Sequence, residues 1–296
     1  MDWTPPQLVN WICSDLEQKG FPPPHRSQAE LLVSHALNMS RLDIYLQHDK
    51  PTTPAEQEKL RDLLKRRYKR EPTAYILGHC DFWTLNFKVG AGVLIPRPDT
   101  EILVEAILDR ISNAPGRGLV QILELGTGCA IIPLSLCSER MCLEFTCTDV
   151  SSEALWWAKI NIDAHKHLAS ERKNRILLVQ TDRFSAIHPR ASYDFIVSNP
   201  PYIPDLEIPG LQKEVSEWEP TIALAGGKHG TDFYQFLQQA AIQFLKPSGY
   251  LIFEHGFDQA QVIAELMKTE TELRLVENRK DYAGHDRVQV YQKISH

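Results

Sequence analysis

Hydrophobic positions change their spacing along this chain. Over residues 1 to about 72, apolar side chains recur every three or four positions. Leu8, Ile12 and Leu16 share one helical face, with Pro5 and Pro6 near its start and Gly20 at its end. A second helical stretch runs from Ser27 to Leu37 and carries Leu31, Leu32 and Ala36. A third begins at Thr53-Pro54-Ala55-Glu56, a capping residue followed by proline at the first helical position, and continues through Leu60, Leu63 and Leu64. From 72 to 100 that spacing is lost. Phe82, Trp83, Leu85, Phe87 and Val89 suggest a short hairpin, followed by a loop from Gly90 to Thr100. A helix over Glu101–Ile111 comes next, then a turn-like break from Ser112 to Gly118.

From Leu119 onward short apolar runs alternate with helical ones. Strands are predicted at Leu119–Leu125, Leu143–Asp149, Arg175–Thr181, Tyr193–Ser198, Tyr250–Glu254, Arg274–Glu277 and Arg287–Gln292. Helices are predicted at Ile131–Ser138, Ser152–His165 and Thr231–Leu245. The alternation implies an α/β domain with a mostly parallel, doubly wound sheet. The expected organisation is a helical domain over 1–72, a hairpin linker and loop over 73–100, and the α/β domain over 101–296.

Composition narrows the classes of function. Hydrophobic residues make up 43% and charged residues 24% of 296, enough for a sizeable core. The net charge of -6 does not suit a nucleic-acid coat. The basic run Lys65-Arg66-Arg67-Tyr68-Lys69-Arg70 reads as a solvated helix end whose cations suit the helix dipole; the alternative is a docking patch for an RNA-containing or acidic partner. The six cysteines show no C-x2-C spacing, so no metal site is expected and free thiols in a reducing cytosol are. The start MDWTPPQLVNW has no leader pattern, and no apolar stretch approaches the roughly 20 residues of a membrane span. A cytoplasmic protein is expected.

Candidate chemistry gathers at predicted strand ends. The first strand closes in Glu124-Leu125-Gly126-Thr127-Gly128-Cys129-Ala130-Ile131, and the next ends at Asp149. Glycines at a strand-to-helix turn admit a ligand close to the backbone, and the acid one strand later suits ribose hydroxyls. An adenosine-bearing ligand follows. Position 131 is Ile, not the third glycine of a dinucleotide fingerprint. Glu124 is a poor neighbour for a pyrophosphate and a good one for the cationic S-adenosylmethionine, which is therefore preferred over NAD. Asp182 suits an adenine amino group and Phe184 its ring, with a capping Asp and a core Phe as the alternative.

The fourth strand stops at Ser198-Asn199-Pro200-Pro201-Tyr202-Ile203-Pro204. In an open α/β sheet the strands ending at Glu124 and Ser198 are expected to be neighbours, which sets Asn199 beside the glycine turn. Two prolines fix φ and remove two donors, so this turn offers carbonyls and the Asn199 oxygen as acceptors for an NH2 group. Tyr202 offers a flat face to a planar target.

This turn resembles the Asn/Asp-Pro-Pro-Tyr/Phe signature of methyltransferases that act on planar amide or exocyclic amine nitrogens. Further stretches are similar to the HemK/PrmC family: Tyr75-Ile76-Leu77-Gly78, Phe82, Val93 to Glu101, Glu219-Pro220 with Ala223-Leu224 and Gly226-Gly227, and Asp281-Tyr282-Ala283-Gly284 with Arg287-Val288. The resemblance spans nearly the whole chain. It implies a Rossmann-like, class I S-adenosylmethionine-dependent methyltransferase fold with seven strands and a small all-helical N-terminal domain that docks substrate. It implies methyl transfer to the N5 nitrogen of glutamine in the Gly-Gly-Gln motif of peptide chain release factors, yielding S-adenosylhomocysteine. Asn199, Pro200 and Tyr202 become the catalytic candidates. The implied cofactor set is Glu124, Gly126, Thr127, Gly128, Asp149, Asp182, Phe184 and Asn199. The implied substrate set adds Pro201, Arg97, Pro98 and Thr100. A monomer without stable nucleic-acid binding is expected. The family's usual third glycine is here Ala130, so a weakened cofactor contact is expected at most.

Other readings stay open at this point. A ribosomal-protein glutamine or a nucleic-acid exocyclic amine suits the same turn, though the latter calls for a basic cleft. A catalytically idle ribosome- or factor-binding protein would not need the intact Glu124, Gly126, Gly128, Asp149 and Asn199-Pro200-Pro201-Tyr202.

Overall fold

Contacts in the computed structural model, which describes residues 3–112, 118–190 and 192–294, divide the chain into two units. One comprises Met1–His79 with Leu211–Trp218; the other comprises Cys80–Gly210 and Glu219–His296. The inserted 211–218 segment has no counterpart in the sequence pattern. Residues 113–117 of the expected break lie outside the described residues.

The first unit is helical. Its longer helices are Pro5–Gln18, His25–Leu37 and Pro54–Tyr68. Thr53 begins the last of these with a capping box, its hydroxyl accepting from Glu56 N and its amide donating to the Glu56 carboxylate. Leu8, Val9, Ile12, Leu32, Val33, Leu60 and Leu63 form the core. The basic run departs from both expectations at Arg67, which is 1% exposed. Its guanidinium lies over Phe21 at 4.3 Å, donates to Gln28 Oε1 and pairs with Glu214 at 2.9 Å. Glu214 arrives on the inserted segment, so this cation is an internal anchor. Arg66 is taken by Glu71.

The second unit begins at Cys80, one residue into β1 (His79–Phe82), which forms a hairpin with β2 (Leu85–Lys88). Seven strands follow: β3 (Val120–Leu125), β4 (Leu143–Asp149), β5 (Arg175–Gln180), β6 (Tyr193–Ser198), β7 (Leu245–Glu254), β8 (Leu273–Lys280) and β9 (Asp286–Lys293). They form one sheet in the order β5-β4-β3-β6-β7-β9-β8, parallel from β5 to β7, with β9 antiparallel to both its neighbours. The predicted strands are all present, β7 and β8 being longer than expected. Along β3, Val120 and Ile122 enter one core with the helix Glu101–Ser112, while Leu123 and Leu125 enter another with Tyr234 and Phe253. Apolar side chains on both faces explain why β3 reads as a continuous run and not an alternating one. Strand order reverses at β3, which has β4 on one side and β6 on the other. Leu125 pairs with Ser198, as the sequence led us to expect. Among the described residues no helix is long and apolar enough to cross a membrane.

Candidate active site

The turn after β3 is built from left-handed residues: Gly126 (φ 72°), Gly128 (φ 56°) and Ala130 (φ 66°). The amides of Gly126 and Thr127 both donate to the Thr148 carbonyl at 2.9 Å, and Thr127 Oγ1 donates to Glu124 Oε2 at 2.5 Å. Glu124 is fully buried, and its Oε1 has no hydrogen-bond partner among the described residues. Burial pushes its carboxyl up to about 7, against the hydroxyl of Thr127 and the thiol of Cys147, which favour the charged form. At the end of β4, Asp149 accepts from Gly128 N and Ser151 N at 3.0 Å each; burial raises this carboxyl too. Asn161 fixes the turn from behind. It exchanges two hydrogen bonds with the Lys88 backbone and donates to the Cys129 carbonyl at 3.1 Å.

The turn after β6 is tied to its neighbour by Ser198 Oγ, which donates to the Leu125 carbonyl at 2.8 Å. Asn199 Nδ2 donates to Thr100 Oγ1 at 3.0 Å. Among the described residues no hydrogen bond reaches the Pro200 carbonyl. Beyond the prolines, Ile203 N donates to the Leu224 carbonyl at 3.0 Å and the Ile203 carbonyl accepts from Gly226 N at 2.8 Å. Gly226 is required there, because a Cβ would stand 2.7 Å from Tyr202 Cα. The buried Glu219 carboxylate accepts from Arg97 at 2.6 Å and from Ile95 N at 3.2 Å, which secures the loop before Thr100.

These turns border a cavity of about 420 Å³. Of the sequence-derived candidates it gathers Glu124, Gly126, Thr127, Gly128, Asp149, Asp182, Asn199, Pro201, Arg97 and Thr100. Pro200 stands between two lining residues without lining it. Arg97 lines it with its guanidinium already engaged by Glu219. Three further candidates lie outside the lining. Phe184 is a core residue stacked on Phe244 at 4.3 Å, since its strand-end turn directs the ring into the apolar layer; Phe233 lines the cavity instead. Tyr202 packs on that same layer and gives its hydroxyl to Glu254 at 3.3 Å, so it stands behind the turn. Pro98 is exposed and opens the short turn that carries Thr100. Phe233 escaped the sequence reading because it lies on a distant helix with no chemical signal. Glu254 left one trace, a carboxylate closing an apolar run.

Comparison with known proteins adds to this geometry. A model of the PrmC N-terminal domain matches residues 7–78, and a model of the methyltransferase small domain matches residues 98–212. A release factor glutamine methyltransferase of Geobacter sulfurreducens is 37% identical over 88% of this chain and 87% of its own. Another, of Koribacter versatilis, is 35% identical over 97% of this chain and 98% of its own. The solved structure of a methyltransferase from Pyrococcus furiosus has a TM-score of 0.51 at 18% identity, covering 81% of this chain and 99% of that one, a likeness of fold.

Proposed function

The chain belongs to the release factor glutamine methyltransferase family, and on that premise we propose that it methylates the side-chain amide nitrogen (N5) of the glutamine in the Gly-Gly-Gln loop of a peptide chain release factor. The observation that carries the proposal is Asn199. It lines the cavity beside the Glu124–Gly128 turn, with Nδ2 occupied by Thr100 and Oδ1 left to accept.

The donor set fits S-adenosylmethionine. Glu124 offers an orphaned buried oxygen to a cation, and Asp149 keeps lone pairs for ribose hydroxyls. Asp182 and Phe233 border the part of the cavity assigned to the adenine. When bound, S-adenosylmethionine supplies a methyl group on a sulfonium and leaves as S-adenosylhomocysteine.

An amide nitrogen is a weak nucleophile because its lone pair is delocalised. Asn199 Oδ1 and the Pro200 carbonyl would each take one N–H of the glutamine amide and aim the nitrogen at the methyl carbon. Held this way, the nitrogen would be placed for in-line transfer of the methyl group, and the proton it loses would pass to water at the cavity. Such acceptors are better satisfied as positive charge grows on that nitrogen, so they act by positioning and electrostatics. No covalent nucleophile is needed. Six free cysteines support a cytoplasmic enzyme. The PrmC-like N-terminal unit is assigned to docking the release factor.

The test is label transfer. The protein and methyl-labelled S-adenosylmethionine are incubated with a purified release factor, with the same factor carrying Gln→Ala in its Gly-Gly-Gln loop, and with DNA or rRNA. Label confined to the intact factor is expected. Label on nucleic acid, or undiminished label on the altered factor, would overturn the assignment.

A further inference from the structure

An ion pair stands at the border of the cavity, on the loop that leads to Thr100. Arg97 lines the cavity, and its side chain is 34% exposed. Its Nη2 donates to Glu219 Oε1 at 2.6 Å. Glu219 is buried and does not line the cavity, and its Oε2 accepts from Ile95 N at 3.2 Å. One carboxylate therefore grips the loop on both sides of Pro96. The backbone of Arg97 is held as well. Prolines at 96 and 98 flank it, and its carbonyl accepts from Thr100 N at 3.0 Å. Thr100 in turn receives the Asn199 amide. The guanidinium and the Asn199 side chain are thus tied to one short turn.

We propose that Arg97 binds a main-chain carbonyl of the glycyl residues before the target glutamine, and that Glu219 is the positioning residue that aims Arg97 and cancels its charge. The inference rests on the release factor reading of this site.

A guanidinium carries five N–H donors and no acceptor. Glu219 takes one of them, and among the described residues no other group accepts from the rest. What meets them at the cavity must be an acceptor. Asn199 Oδ1 and the Pro200 carbonyl are already assigned to the N–H groups of the amide. The side-chain carbonyl of that glutamine is a poor partner, because a cationic donor there would draw the lone pair further off the nitrogen. A peptide carbonyl earlier in the substrate has no such cost. Glycine has no side chain to keep a donor away from it.

Glu219 decides which kind of acceptor fits. An uncompensated arginine suits phosphate, with bidentate bonds and a full charge. Beside a carboxylate at 2.6 Å, Arg97 offers direction without net charge. That favours a neutral carbonyl over a phosphodiester, and it spares a cationic cofactor a like charge in the same cavity. Burial raises the Glu219 carboxyl, and Arg97 holds it toward the charged form. The other arginine on the lining, Arg183, lies over Phe236 at 4.6 Å beside Asp182, in the part assigned to the adenine.

The experiment measures methyl transfer to a purified release factor by wild type, R97A, E219Q and R97A/E219Q, with cofactor Kd by calorimetry and with inorganic phosphate as inhibitor at constant ionic strength. R97A should raise KM by about 10- to 10²-fold, the loss of one charge-assisted hydrogen bond, with a much smaller change in kcat. E219Q should raise KM by about tenfold, within the coupling range of side chains in contact, and should become sensitive to phosphate. R97A/E219Q should match R97A in KM and lose that sensitivity, as two residues that act as one. Cofactor Kd should stay within about threefold throughout. A merely structural Glu219 would lower the melting temperature without phosphate inhibition, and its loss would add to that of Arg97. R97A with a KM within about twofold of wild type, an additive double variant, or an E219Q indifferent to phosphate would overturn the proposal. If E219Q does not fold, R97A decides: a raised KM supports the proposal and an unchanged one overturns it. A wild type that leaves the release factor unlabelled would overturn the reading of the whole site, whereas a labelled factor beside an unaffected R97A removes only the role of this pair.

Discussion

Two turns meet where strand order reverses, and they are built in opposite ways. The turn after β3 uses left-handed residues and directs amide donors onto Thr148 and Asp149. The turn after β6 uses two prolines, which withhold donors and leave acceptors. Each has a buried glutamate pushed up to about 7, but Glu124 lines the cavity and Glu254 stands behind Tyr202. The same amino acid with the same burial thus stands in two settings: one borders the cavity beside the Thr127 hydroxyl, the other takes the Tyr202 hydroxyl behind the turn. Carboxylates are costly to bury, and each of these two has a hydroxyl beside it, from Thr127 or from Tyr202, to offset part of that cost.

The comparison breaks most visibly at Asn199. Asn199→Ala should lower kcat by about 10²- to 10³-fold, the range for loss of one oriented polar group, while cofactor Kd stays within about threefold. Steady-state kinetics and calorimetry measure the two separately. Equal loss of cofactor affinity would merge the two turns into one site with one role.

Stability gives the next largest effect. Both glutamates titrate higher in the folded protein than in the unfolded chain, where 4.5 is the reference value. The folded state therefore keeps its protons longer. The favourable contribution is complete below the unfolded value and is lost as pH rises from about 4.5 through about 7. Each site accounts for roughly 3 kcal/mol at most across that window. Glu124→Gln and Glu254→Gln should each be more stable than wild type at pH 8, with the advantage gone by pH 4.5. Urea titrations of the free protein at the two pH values provide the check.

Cofactor binding separates the glutamates from each other. A cation bound beside Glu124 favours the carboxylate, so binding near pH 6.5 should release a fraction of a proton and tighten as pH rises through 7. Glu124→Gln should weaken cofactor binding by about 10- to 10²-fold, the loss of one charge-assisted contact, and abolish the proton release. Glu254→Gln should leave both nearly unchanged. Calorimetry in two buffers of different ionisation enthalpy reads the proton directly.

Much of this site was legible because its signals are local. Glycines beside an acid, a second acid one strand later, and prolines after an apolar strand need only short windows, and the β3–β6 pairing that joins them follows from α/β topology. Side-chain direction was not legible. Phe184 and Tyr202 look like ligand-facing rings in sequence, yet each finds an apolar layer close by. The 211–218 segment is the clearest miss. A single carboxylate, Glu214, meets the buried Arg67 from more than a hundred residues away, and no window contains both. Glu254 falls between these cases: its strand was predicted, but its partner Tyr202 comes from a separate loop.

The smallest effect concerns Ala130, the third left-handed residue of the glycine turn. An L side chain in that conformation costs about 1–2 kcal/mol, which explains why glycine suits the position. Ala130 is nonetheless fully buried in the core beneath the turn and does not line the cavity. Its methyl regains about 0.8 kcal/mol by burial, and glycine would lose a further 0.5–1 kcal/mol in chain entropy. These terms nearly cancel. Ala130→Gly should therefore shift stability by less than about 0.5 kcal/mol, moving the melting temperature by about 2 °C at most. Cofactor Kd should stay within twofold, because the methyl points into the core and narrows nothing at the ligand. A tighter Kd in Ala130→Gly would mean that the turn itself yields to the methyl, and the contrast between a strained donor turn and a stiff acceptor turn would then extend to the cavity wall.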